Sequence, residues 1–122
     1  MSKSLRYTFL LHAVVALLFG AALLAAPGRF LGLFGWAPVD PLLSRVLGAA
    51  LLALGWSSYR GFRAAERGQV ALLVELEAVF CVLTCVGMVR HMLGWYWPWY
   101  VWTLLGVFAA FAVAWIWALI RR

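Results

Sequence analysis

Apolar residues fill this chain in four long blocks, and polar residues gather at the block ends. The blocks run from Tyr7 to Ala26, Leu42 to Tyr59, Val70 to Val89 and Trp99 to Ile120. Each is close to the roughly 20 apolar residues that carry an α-helix across a bilayer. The pattern predicts an all-α fold, an integral membrane four-helix bundle with helices at about those four spans. Only short connections remain between them, so residues 1–122 are expected to form a single transmembrane domain.

The breaks between blocks carry their own signals. Pro27 and Gly28 stop the first helix, and Asp40 before Pro41 pairs a capping side chain with proline at the first helical position. The link between them contains Phe30, Leu31, Leu33, Phe34 and Trp36. Side chains this apolar are expected to lie as a short helix or turn at the membrane interface, where tryptophan is favoured. Small residues recur at helical spacing in three blocks: Ala16 and Gly20 beside His12; Gly48 and Gly55 with Leu52 and Tyr59; and Gly106, Ala110 and Ala114 with Thr103. Such rows let membrane helices approach closely.

Composition agrees with the pattern and excludes a soluble globular domain. The chain is 67% hydrophobic and 11% charged, against roughly 45 to 50% and 25% in soluble proteins. Its net charge of +6 would suit nucleic acid if the basic residues formed a stripe, but they sit at the ends of apolar runs, so no nucleic-acid partner is expected. They read instead as topology signals. With four spans, Lys3, Arg6, Arg60, Arg63, Arg67, Arg121 and Arg122 fall on one side and Arg29, Arg45 and Arg90 on the other. The positive-inside rule then places both termini in the cytoplasm. Anionic headgroups are the expected partners of the Arg60–Arg67 segment, at about 1 kcal/mol per basic residue. Lys3 and Arg6 before an apolar run resemble a secretory signal, but the run is longer than the roughly 7 to 15 residues of a signal core, so it is expected to stay as the first helix.

The polar residues within the spans are the candidates for chemistry. Glu75, Glu77, Cys81, Thr84, Cys85 and Met88 interrupt the third block, and carboxylates in hydrocarbon must face protein or water. At about 100° per residue, Glu77, Cys81, Cys85, Met88 and His91 share one side of the helix, and Glu75 lies nearly opposite. Glu77 is therefore expected to point inward, toward His12, Tyr59 or a serine of the second helix, and Glu75 toward the inner surface and Arg67. His12, Tyr59 and Glu77 form the candidate intramembrane polar site, with Glu75, Cys81 and Cys85 as the alternative set. The soft ligands on the Glu77 face are spread over roughly 20 Å of helix, too far apart for one metal ion, and no metal is expected. The two cysteines make no CxxC pair and no disulfide framework. A neutral histidine satisfied by one hydrogen bond accounts for His12 without invoking a metal or proton role. Trp95, Tyr96, Trp97, Trp99, Tyr100 and Trp102, with Trp36 from the earlier link, are expected to form an interfacial aromatic belt.

The run Gly32 to Gly55, GLFGWAPVDPLLSRVLGAALLALG, resembles small four-span bacterial membrane proteins of the DoxX-like kind, with a glycine-bearing apolar turn, a proline link, and a helix that opens with arginine and continues through Leu-Gly. The resemblance implies the four-helix layout and a bacterial inner membrane. Some members of that group are implied to be small membrane subunits of quinone-linked oxidoreductases, which makes a quinone- or lipid-binding subunit one reading of this chain. The residues themselves favour a structural or accessory protein that packs with itself or with a larger membrane complex. They contain no catalytic motif, and neither an enzyme nor a resident cofactor is expected. A proton- or cation-coupled transporter using Glu75 and Glu77 is a third reading, weakened because the two halves of the chain show no matching interrupted helices.

Overall fold

The structure is a computed structural model that describes residues 1–94 and 96–121, and every regular element among them is helical. In chain order these are α1 (Lys3–Ala25), α2 (Pro27–Gly32), α3 (Pro41–Arg63), a 3₁₀ turn at Arg67–Gln69, α4 (Ala71–Met92) and α5 (Trp99–Ile120). Helices α1, α3, α4 and α5 have 22 or 23 residues each and are long and apolar enough to cross a membrane. Their rise of about 1.5 Å per residue gives roughly 33 Å, against a hydrocarbon core of about 30 Å.

The helices extend past the apolar blocks that predicted them. Helix α1 starts at Lys3 because the Ser2 hydroxyl caps it, accepting from the Leu5 N–H at 3.2 Å. Helix α3 starts as expected, with the Asp40 carboxylate accepting from the Leu43 N–H at 3.0 Å and Pro41 in the first turn, but it continues beyond Tyr59 to Arg63. Helix α4 likewise runs on to Met92. Hydrophobicity marks only the stretch suited to hydrocarbon, whereas a helix continues while its backbone groups find partners.

The chain divides into two compact units, Ser2–Ala64 and Ala65–Arg122. In the first, α1 and α3 form an antiparallel hairpin in backbone contact. A Cβ added at Gly48 would lie 2.7 Å from the Leu24 nitrogen and 2.8 Å from the Gly20 oxygen, and one at Gly20 would lie 2.8 Å from the Gly48 oxygen. Further along, Gly55 meets Leu17 and Gly61 meets the ring of Phe9. At Gly20 and Gly48 glycine is needed, because a Cβ there would meet the backbone of the partner helix. The link after α1 folds back on the hairpin. Phe30 of α2 meets Phe19 edge-on at 5.4 Å and Phe34 at 5.6 Å, and the Trp36 N–H donates to the Leu31 carbonyl at 3.1 Å. Phe30 and Trp36 are half-buried, while Leu33 is 82% exposed.

At the other end of this hairpin, Arg6 donates through Nη1 to the Phe62 carbonyl at 3.3 Å and through Nη2 to the Ala64 carbonyl at 3.4 Å. These oxygens belong to the end of α3, where helical carbonyls lack partners within the helix. Arg6→Gln is expected to cost about 1 kcal/mol and to speed hydrogen exchange at the amides of Phe62 and Arg63. Unchanged exchange there would show that the arginine does not hold the helix end.

In the second unit, α4 and α5 pack through Phe80 and Phe108, whose rings are 6.1 Å apart. Arg67 donates from Nη2 to the Ala118 carbonyl near the end of α5, so this arginine has a structural partner besides the headgroups expected for it. The buried positions of α5 are Val101, Ala112, Trp115 and Ala118. This corrects the packing face read from the sequence, since Gly106 and Ala110 are exposed and Ala114 is half-buried. Thr103 turns its hydroxyl back to the Trp99 carbonyl at 2.9 Å. Trp115 is fully buried, and an aromatic of its size buries about 150 to 250 Å². That single side chain outweighs a row of alanines in deciding how α5 turns.

Candidate functional site

The best-defined buried polar contact lies inside the first unit. His12 Nδ1 and Ser58 Oγ share a hydrogen bond of 2.8 Å, either group donating according to the imidazole tautomer. Both residues are buried, and Phe9, Ala13 and Ala16 are buried on the same helix as His12. His12 therefore faces α3 in the interior of the hairpin, on the side that its alignment with Ala16 and Gly20 predicts. Ser58 belongs to the buried row of α3, which comprises Gly48, Leu51, Gly55, Ser58 and Gly61. Ser57, one position earlier, bonds instead to the Leu54 carbonyl of its own helix at 2.8 Å.

Tyr59 does not join this pair. One residue beyond Ser58, it is turned by about 100°, is 37% exposed, and stacks against Trp56 with ring centroids 5.6 Å apart. The row Gly48, Leu52, Gly55 and Tyr59 thus slipped one position from the buried one at two of its members. Both rows step by threes and fours, and the signal that separates them is Gly61, a small residue three positions beyond Ser58 that continues the buried row.

In the second unit, α4 separates its two carboxylates. Glu77 is fully buried and Glu75 exposed. Cys81, one turn beyond Glu77, is also fully buried, and Thr84, Cys85 and Met88 are half-buried. The Thr84 hydroxyl donates to the Phe80 carbonyl at 2.7 Å, a bond within its own helix. Ala78 is buried although it belongs to the Glu75 side, while Val79, Val82 and Val86 are exposed. His91 leaves the row, being exposed and stacked on Trp97 at 4.9 Å. Among the described residues, no group of three or more histidine, cysteine or acidic side chains is arranged to hold a metal ion.

The aromatic residues before and within α5 differ in exposure. Tyr96 is fully exposed, Trp99 and Trp102 are exposed, and Tyr100 and Trp97 are half-buried. The Trp97 indole donates to the Met92 carbonyl at 3.2 Å and so ties the connection to the end of α4. Trp99 and Tyr100 meet edge-on at 5.9 Å. Trp95 lies outside the described residues.

No protein-family model, curated protein or solved structure matches this chain.

Proposed function

We propose that this chain is a multi-pass membrane protein, with both termini on the cytoplasmic side, that acts as a structural or accessory subunit through the lateral faces of its spans. The supporting observation is the imbalance between inner and outer surface. Of the most apolar window of each long helix, 33% of residues are buried in α1 and 22% in each of α3, α4 and α5. The remaining apolar side chains, such as Leu11 and Leu18 of α1, Leu72 and Leu83 of α4 and Val113 of α5, point outward. Such faces are stable in hydrocarbon or against another membrane helix. The best-defined buried polar contact, between His12 and Ser58, joins the two helices of one hairpin. The sidedness rests on the division of basic residues, seven to three.

Cross-linking in the native membrane, mild-detergent extraction and capture of the tagged chain test this reading. The expected product is a discrete assembly larger than the 13.6 kDa chain, made of copies of it or of a defined membrane partner. A chain that stays monomeric in native membranes and in nanodiscs would contradict it. Capture with a stoichiometric quinone would support instead the redox-subunit role implied by the DoxX-like resemblance.

A further inference from the structure

Two arginines converge on one open groove at the end of the first unit where α1 gives way to α2 and α3 begins. The groove has a volume of about 590 Å³ and is lined by Ala25, Ala26, Pro27, Arg29, Pro41 and Arg45, among others. Arg45 donates from Nε to the Leu24 carbonyl at 3.2 Å. That bond anchors the guanidinium to the last turn of α1 through its inner nitrogen and leaves the terminal Nη groups to meet a ligand. Arg29 comes from α2, which the edge-on contact of Phe30 with Phe19 holds against α1. No acidic side chain lines the groove. Asp40, next to Pro41, has its carboxylate on the Leu43 N–H.

We propose that this groove binds the phosphate of an anionic phospholipid, a reading that rests on the chain being a membrane protein. Guanidinium forks match phosphate oxygens in pairs, and two of them around one concavity can hold a diester from both sides. The surroundings favour a lipid over a free phosphate. Leu24, Leu42 and Val46, each adjacent in sequence to a lining residue, are 42%, 72% and 59% exposed. They offer an apolar surface on which acyl chains can lie once the headgroup is seated. Of the three arginines assigned to the outer side, Arg29 and Arg45 are the two at this groove.

The test uses the full chain in detergent micelles, with native mass spectrometry reading bound phosphatidylglycerol against phosphatidylcholine. Wild type is expected to prefer phosphatidylglycerol, and Arg29→Gln with Arg45→Gln to weaken its binding about 30-fold. The same charge change at Arg60 and Arg63 should leave most of the binding in place, and Arg29→Lys with Arg45→Lys should retain part of it. Circular dichroism on every variant confirms that the helices are retained. Equal phosphatidylglycerol binding by wild type and the Arg29/Arg45 double variant would overturn the proposal. Displacement of the lipid by millimolar inorganic phosphate would overturn the lipid assignment in favour of a free-phosphate site. Release of the chain from membranes by alkaline carbonate would defeat the membrane reading itself, an outcome distinct from either result in micelles.

Discussion

Gly48→Leu is expected to break the α1–α3 hairpin. The atoms that a Cβ at this position would strike are the Leu24 nitrogen at 2.7 Å, the Gly20 oxygen at 2.8 Å and the Leu23 carbonyl carbon at 3.1 Å, all of them backbone. A side-chain neighbour can rotate away, but a helix backbone can yield only if the whole helix moves. Overpacking typically costs about 1 to 3 kcal/mol, and this contact should lie at the upper end for leucine and lower for alanine. Separation of the helices would also remove the Gly20, Gly55 and Gly61 crossings and the His12–Ser58 bond, since all belong to the same interface. Unfolding in mixed micelles with increasing dodecyl sulfate measures the loss. Gly106→Ala provides the comparison, because a Cβ there meets nothing within 4 Å. Equal unfolding midpoints for Gly48→Leu and wild type would show that the two backbones are not in contact.

The second large effect concerns His12 and Ser58. Ser58→Ala removes the hydroxyl from the buried Nδ1, and loss of one partner of a buried hydrogen bond costs about 1 to 3 kcal/mol in water-soluble proteins. Measured couplings between membrane helices average only about 0.6 kcal/mol, because the separated helices also find partners. A loss near 1 kcal/mol is therefore expected for Ser58→Ala and a similar one for His12→Leu. Their combination should cost less than the sum, since it leaves neither group behind. A double-mutant cycle on the same unfolding assay reads the coupling, and strictly additive losses would mean that the two side chains do not stabilise each other.

The long helices, the Asp40–Pro41 start of α3 and the opposite exposure of Glu75 and Glu77 were all legible in the residues. In each case a chemical contrast marked the position: an apolar block against charged ends, a capping side chain before proline, a carboxylate on each side of one helix. Where that contrast disappears, the reading weakens. Helix α5 is apolar all round, so its pattern contains little to say which side faces a neighbour. The row containing Gly106 and Ala110 looked suitable for close packing, but the burial of Trp115 turns it outward. Gly106 and Gly48 illustrate the limit. The same residue type sits in open space in one helix and against backbone in the other, and only the position of a partner helix distinguishes them. Ser58 and Tyr59 differ by one position, and a one-residue error in the packed row exchanged a buried hydroxyl for an exposed phenol.

Cysteine accessibility in intact cells tests the membrane reading most directly. Single cysteines at Ser2, Val39, Gly68 and Tyr96 sample the N-terminus and the three connections between long helices. The native thiols lie within α4, Cys81 buried and Cys85 half-buried, and can be replaced by alanine to remove background. Four crossings with a cytoplasmic N-terminus predict that an impermeant maleimide labels Val39→Cys and Tyr96→Cys from outside, and labels Ser2→Cys and Gly68→Cys only after the cells are opened. Labelling of Ser2→Cys from outside would reverse the orientation, and labelling of Ser2→Cys and Val39→Cys from the same side would show that α1 does not cross the membrane.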